Sequence, residues 1–130
     1  MSERRIEALV DGLIHLLGST SNPDSELHQI RNCIGLMNFS RPGKCQIDLK
    51  GRRVFDSWLA SYRASCYDIG LKCSGESRAG LKSTDPLSSL LGVFNVKEKL
   101  GQKQVINYLR RSLKNPDISV DTPLSYFVEE

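Results

Sequence analysis

A strongly apolar segment near the N-terminus, residues 2–18 with the sequence SERRIEALVDGLIHLLG, constrains the fold most. Its large aliphatic side chains recur at intervals of three and four residues, at Ile6, Leu9, Val10, Leu13, Ile14 and Leu17. This spacing places them on one face of a helix. Ser2 can cap the start of that helix, and Gly18 fits its end. Because so wide an apolar stripe must be covered by other elements, the segment favours a helical bundle.

Helical spacing returns in four later segments of the chain. A second helix is predicted to start at Pro23 and to end near Asn38. A third, rich in aromatic side chains, covers residues 54–69 and is the best candidate for the central core helix. A short fourth helix is predicted after Pro86, and a fifth at about residues 102–114.

Length and composition agree with one globular domain. A chain of 130 residues with 39% hydrophobic and 25% charged residues can bury a single core. We therefore predict an all-α, single compact domain of about five helices. Residues 1–115 form its helical part, with an irregular basic loop at residues 40–52, and residues 116–130 form an extended acidic and aromatic tail. The tail can pack over the bundle, pair as a strand or reach a partner.

The net charge of +3 hides a strong asymmetry along the chain. Residues 41–114 hold fifteen basic and six acidic side chains, a balance of +9, whereas residues 1–40 carry −2 and residues 115–130 carry −4. A basic centre between two acidic ends is typical of a chain that binds an anion, or of one that associates with its own copies.

Two clusters within the basic centre supply the candidate binding residues. One lies on the polar side of the fifth helix, at Lys103, Arg110, Arg111 and Lys114. The other lies on the loop and at the start of the third helix, at Arg41, Lys44, Lys50, Arg52 and Arg53. If the clusters converge on one face, they can follow several phosphates of a nucleic-acid backbone. The alternative is an ordinary solvated face, since basic side chains near a helix C-terminus complement its dipole.

The charge pattern favours a small nucleic-acid-binding protein with an accessory, regulatory or packaging role, of the kind that viruses often encode. RNA, or another polyanion, is the expected partner, and RNA comes ahead of DNA because no base-reading recognition motif is present. The alternative is a self-associating adaptor whose basic face binds an acidic partner protein. In both cases we expect a homo-oligomer.

Motifs for catalysis, cofactors and metals are missing from the sequence. It has neither a phosphate-cradling glycine loop nor paired carboxylates at useful spacing, so we expect a non-enzyme without a cofactor. The residues His28, Cys33, Cys45 and Cys73 could meet around zinc in three dimensions. Because no two of them have the close spacing of metal ligands, we predict no metal site.

Cysteine usage and hydropathy bear on the compartment. Four cysteines are sparse for a disulfide scaffold, and no leader pattern precedes them, so we expect reduced thiols. The longest apolar stretch is interrupted by Glu7, Asp11 and His15, which makes it too short and too charged for a membrane span or a signal peptide. We therefore expect a cytoplasmic protein, or a nuclear one, that is not secreted and not bound to a membrane.

Overall fold

The computed structural model describes residues 3–37, 46–77 and 79–129. These residues contain five α-helices and no strand, only isolated antiparallel bridges. The helices are α1 (Glu3–Leu17), α2 (Glu26–Gln29), α3 (Trp58–Ser74), α4 (Leu87–Val93) and α5 (Lys99–Ser112), followed by a 3-10 helix at Leu124–Phe127. The predicted all-α class and the single compact domain are confirmed.

Helix α1 lies at the centre of the core and contacts α3, α5 and the 3-10 helix. Its side chains Leu9, Val10 and Leu13 have no exposed surface, as the apolar spacing predicts. Gly18 follows the helix with φ of 68°, a left-handed conformation that a residue without a Cβ adopts easily.

Helix α5 packs its apolar face, formed by Val105, Ile106 and Leu109, against this core. The two helices approach closely at Gly12 of α1, where an added Cβ would lie 3.3 Å from Cδ1 of Tyr108. The missing side chain at Gly12 therefore leaves room for the Tyr108 ring between the helices.

The predicted second helix is wrong in length: α2 has one turn and does not continue to Asn38. A buried amide, that of Asn32, replaces the helical hydrogen bonds. Its Oδ1 accepts from the backbone N–H groups of Gly35 and Leu36, each at 2.9 Å. Its Nδ2 donates to the carbonyl oxygens of Leu36 at 3.0 Å and Arg53 at 2.9 Å. Asparagine competes with the helix by such local bonds to the backbone.

The third helix is shifted along the chain relative to the predicted residues 54–69. It starts later because the backbone N–H of Val54 donates to the carbonyl oxygen of Gln46 at 2.8 Å, which ties this segment to the preceding loop. Ser57 then caps α3, since its hydroxyl accepts a hydrogen bond from a backbone N–H three residues on. The helix passes the predicted end and stops at Gly75, where φ is 81°.

The predicted irregular loop, residues 40–52, is described from residue 46 onward. Asp48 organises a turn there, because its Oδ1 accepts from the backbone N–H of Lys50 at 3.0 Å and of Arg52 at 2.8 Å. Aspartate commonly stabilises turns in this way. The turn thereby fixes the backbone positions of Lys50 and Arg52.

Residues 117–129 fold back over the helices and add to the core. The buried side chains of this segment are Ile118, Leu124 and Phe127. The carbonyl oxygens of Val120 and Thr122 accept hydrogen bonds from the backbone N–H groups of Ser88 and Leu87, at 3.0 and 2.8 Å, which satisfies the first donors of α4. These residues therefore pack over the bundle, and the extended character of the tail stays a prediction. The division of the chain at residue 115 stays a prediction.

Candidate functional site

Five basic side chains project from α5 and from the residues that follow it. All five are exposed: Lys99, Lys103, Arg110, Arg111 and Lys114. Helix α5 contains no acidic residue. At 1.5 Å per residue, the distance along the helix axis from Lys99 to Arg110 is about 16 Å. The helix is therefore positively charged along most of its length.

Three of these side chains line one groove, called the basic groove below. It lies between α5 and the tail and has a volume of about 430 Å³. Lys99, Lys103 and Arg110 supply its positive charges, and no acidic side chain lines it. Neutral hydrogen-bonding groups come from Gln102, Asn107 and Ser119. The groove is suited to an anion with several oxygen atoms, because each cation can make a charge-assisted hydrogen bond to it.

A hydrogen bond to the tail holds Arg110 in place at this groove. Nε of Arg110 donates to the carbonyl oxygen of Ile118 at 2.7 Å. The other two guanidinium nitrogens donate no hydrogen bond to the described residues, and neither Arg110 nor the two lysines of the groove form an ion pair with them. An anion can therefore use these donors without first displacing a carboxylate. Because Arg110 is already anchored, it loses less freedom on binding.

A second pocket, of about 390 Å³, lies between α1 and α5. Its lining residues are Gly12, His15, Leu16, Gln104, Asn107, Tyr108 and Arg111. The rings of His15 and Tyr108 are stacked, with centroids 6.0 Å apart and planes inclined by 25°. Asn107 lines this pocket as well as the basic groove, so the two depressions are neighbours.

The Tyr108 hydroxyl stays protonated at neutral pH. Burial raises the pKa of the phenol, and the Asp11 carboxylate raises it further, against a smaller opposing effect of Arg111. The hydroxyl can therefore donate a hydrogen bond as well as accept one. The pocket thus combines aromatic rings, amide groups and one cation.

The second predicted basic cluster is engaged in ion pairs. Nζ of Lys50 lies 2.9 Å from Oε2 of Glu26, and Nη2 of Arg52 lies 2.6 Å from the same oxygen. Nη2 of Arg52 also lies 2.7 Å from Oδ2 of Asp48. The hydrogen bonds from Lys50 and Arg52 lower the pKa of Glu26. Burial raises the pKa of Asp48, but the hydrogen bonds from Arg52 and Lys50, together with the charge of Arg52, outweigh burial and leave the pKa lowered. Two carboxylates therefore balance these two cations.

Arg53 is buried, with 9% of its surface exposed. Its Cζ lies 4.7 Å from the centroid of the Phe55 ring, a cation–π contact. Its Nε has no hydrogen-bond partner among the described residues. Arg41 and Lys44 lie outside the described residues. A binding role for these three residues stays a prediction.

The predicted residues therefore separate into distinct places. Lys103 and Arg110 meet in the basic groove, Arg111 lines the neighbouring pocket, and Lys114 is exposed just beyond α5. The residues Lys50 and Arg52 line a different depression beside α2. No described pocket contains members of both clusters.

Among the lining groups of the groove that the sequence did not predict are Lys99 and Ser119. Lys99 lies four residues before Lys103, a spacing that places both on one helix face and that was visible in the sequence. Ser119 reaches the groove only because the tail folds back, and no local pattern signals that contact.

The described residues contain no cluster of three or more His, Cys, Asp or Glu side chains that could hold a metal ion. Of the four candidate ligands, Cys45 lies outside these residues, Cys33 and Cys73 are buried in the core, and Nδ1 of His28 lies 2.9 Å from the carbonyl oxygen of Ser19. Burial raises the pKa of Cys73 to about 12. A thiol with this pKa is protonated at neutral pH and is a poor nucleophile or ligand.

A fourth depression, largely apolar, lies between α1 and α3 and has a volume of about 510 Å³. Apolar and aromatic side chains form most of it, and its charged members are Glu3, Glu7 and Arg63. Leu59 is 60% exposed and Tyr67 is 61% exposed beside it. Exposed apolar groups next to a groove are typical of protein contact surfaces.

No protein-family model matches the chain, and neither a curated protein nor a solved structure matches it. Across the described ranges, no helix combines the length and the apolar character needed to cross a membrane. Function must therefore be inferred from the chain's own side chains.

Proposed function

We propose that the protein binds RNA through the basic groove of α5, with little sequence preference, in a non-enzymatic accessory, regulatory or packaging role. The observation that carries this proposal is the convergence of Lys99, Lys103 and Arg110 on one groove without an acidic lining residue. Basic side chains that contact phosphates supply most of the affinity of sequence-tolerant binding. RNA comes ahead of DNA because the chain carries no base-reading recognition motif.

The positive charge on α5 exceeds what helix stability requires. Arg110 and Arg111 lie in the last turn, where they complement the helix dipole. Lys99 is the first residue of α5, where the dipole is positive, and the first turn contains no acidic residue. Lys103 follows on the same face one turn later, so that two positive charges repel each other. A binding role explains these two lysines, whereas the dipole disfavours Lys99.

The size of the groove predicts weak, salt-sensitive binding. Three phosphate contacts give a slope of log affinity against log salt of about −2, because each contact to a single strand contributes about −0.7. If Arg111 and Lys114 also contact phosphates, the slope steepens to about −3.5. The dissociation constant at physiological salt should be on the order of 10⁻⁴ to 10⁻⁶ M, as for other sequence-independent binding.

Fluorescence anisotropy with labelled single-stranded RNA across a salt series tests the proposal. The variants are Lys103→Glu, which reverses a charge in the groove, and Lys82→Glu, which makes the same change at an exposed lysine outside every described pocket. We expect Lys103→Glu to weaken binding about tenfold and to reduce the slope by about 0.7, while Lys82→Glu binds nearly as the original protein does. No binding at low salt, or equal losses in both variants, contradicts the proposal.

The apolar depression between α1 and α3 favours a second candidate function. With Leu59 and Tyr67 exposed beside it, this surface suits a self-associating adaptor whose basic face binds an acidic partner protein. Light scattering after size exclusion measures the expected homo-oligomer, and Leu59→Ser should shift it towards the monomer. If Lys103→Glu leaves RNA binding intact while Leu59→Ser abolishes assembly, the adaptor is the better proposal.

A cytoplasmic or nuclear location belongs to the same proposal. It is supported by Cys33, Cys66 and Cys73, which are free thiols and not disulfide partners. Free thiols are usual in reducing compartments. Imaging of the tagged full chain in cells tests the location.

A further inference from the structure

The pocket lined by His15 and Tyr108 lies outside the basic groove that carries the three phosphate contacts proposed above, yet it borders that groove. Asn107 lines both depressions. Around α5, Lys103 and Arg110 face the groove, whereas Gln104 and Arg111, the next residue after each, face the pocket. This follows from the turn of about 100° per residue in a helix. A nucleotide whose phosphate lies in the groove can therefore extend its sugar and base across Asn107.

We propose that this pocket binds one unpaired base of the strand whose phosphates lie in the groove. The protein then recognises single-stranded nucleic acid in preference to a duplex. The proposal rests on the proposed phosphate binding by α5, and it adds a second contact of different chemistry to that site.

The aromatic pair supplies a surface on which a base can stack. The imidazole ring of His15 is exposed, and Tyr108 supports it from the side of the core. Every nucleobase has a flat π-face, so stacking on such a surface tolerates any sequence. A base in a duplex is already stacked and paired, and it cannot enter the pocket without leaving the helix.

The polar lining suits the edges of a base. The side-chain amides of Gln104 and Asn107 form no hydrogen bond with the described residues. An amide carries both a donor and an acceptor, so the same side chain can bond to different base edges. The guanidinium of Arg111 adds a cation that can stack on the base or bind the next phosphate. A volume of about 390 Å³ lies within the usual range of small-ligand pockets.

Two probes that differ by one base separate the pocket from the groove. The ¹⁵N-labelled full chain is titrated with uridine 5′-monophosphate and, separately, with ribose 5-phosphate, and the side-chain amide signals are followed by NMR. Both probes should shift the Gln102 amide of the groove. Only the nucleotide should shift the Gln104 amide of the pocket. If both probes shift Gln102 alone, the base pocket is rejected while phosphate binding stands. If neither probe shifts any signal, both proposals fail.

Strand binding gives an independent readout. A labelled single-stranded RNA is compared with an abasic strand of the same length, for the original protein and for His15→Ala and His15→Phe. Loss of one base–aromatic stack typically weakens binding by about 5-fold to 150-fold, and we expect the lower end for His15→Ala. His15→Phe keeps a stacking ring and should bind nearly as the original protein does. Equal affinity of the original protein for both strands overturns the base pocket.

Discussion

Lys99→Glu should change stability and RNA binding in opposite directions. Lys99 is the first residue of α5, and the first turn of that helix contains no acidic side chain. A lysine there opposes the helix dipole by about 0.3 to 1 kcal/mol, and a glutamate gains a similar amount. The substitution also replaces the repulsion between Lys99 and Lys103 with an attraction of about 0.2 to 0.5 kcal/mol. We expect a net stabilisation of about 1 kcal/mol at low salt, because both side chains are exposed and solvent reduces each effect.

Thermal unfolding followed by circular dichroism measures this gain. For a domain of this size, 1 kcal/mol corresponds to a rise in Tm of about 4 °C. The rise should shrink in 1 M salt, where the Debye length is only about 3 Å. In the anisotropy assay the same variant should lose about one phosphate contact, which reduces the salt slope by about 0.7.

The control for this prediction is Lys82→Glu, which makes the same charge change outside α5 and should leave both Tm and the salt slope nearly unchanged. A lower Tm for Lys99→Glu contradicts the dipole argument. An unchanged salt slope with a raised Tm shows that Lys99 does not contact phosphate, and the groove then loses one of its three cations.

Four further predictions follow from contacts away from the phosphate groove. Asn32→Ala should lower the free energy of unfolding by about 3 to 5 kcal/mol, because four hydrogen bonds to the backbone are lost and three of them are buried; in urea denaturation, a loss below about 1 kcal/mol contradicts this. Gly12→Ala should leave the free energy of unfolding nearly unchanged, since a gain in helix propensity of about 1 kcal/mol offsets the crowding of the new methyl group against Tyr108. It should nevertheless displace the Tyr108 ring, and anisotropy should then show weaker binding of single-stranded RNA. Cys73 should resist iodoacetamide at pH 8 in the folded protein and react in urea, as mass spectrometry can show. The ion pairs of Glu26 hold its pKa in the folded protein below the usual value of 4.5, so the stability that its carboxylate contributes is present above pH 4.5 and is lost as the pH falls below the folded pKa. Glu26→Gln removes this contribution and should therefore reduce the decline of Tm between pH 6 and pH 3. A decline of Tm equal to that of the original protein contradicts this.

Helices α1 and α5 were predictable because their apolar stripes run through several turns. Helices α1 and α5 have 15 and 14 residues, and a period repeated over several turns outweighs local exceptions. The predicted end of the second helix was wrong because the helical spacing of apolar residues continues past Asn32. In the structure, the Asn32 side chain accepts hydrogen bonds from the backbone N–H groups of Gly35 and Leu36 instead. Whether an asparagine is buried depends on distant residues such as Arg53, which accepts one of its hydrogen bonds.

Only the part of the candidate site that lies on a single helix, α5, was predictable from the sequence. Lys103 and Arg110 share a face of α5 by their spacing, and they do line one groove. The partner of Lys50 lies 24 residues earlier in the chain, and a count of local charge could not indicate this pairing with Glu26. Ser119 joins the groove through the fold of the tail, which depends on tertiary packing.

The two basic clusters illustrate when positive charge is available to a polyanion. Lys50 and Arg52 share the carboxylate of Glu26, so a phosphate that bound them would have to compete with a pair already formed. Lys99 and Lys103 have no such carboxylate among the described residues, and the end of the helix where they lie is itself positive. An arriving phosphate therefore relieves repulsion at α5, whereas at the other cluster it would replace one attraction with another. The free energy gained per contact should be larger at α5, even though the second cluster contains as many basic residues in sequence.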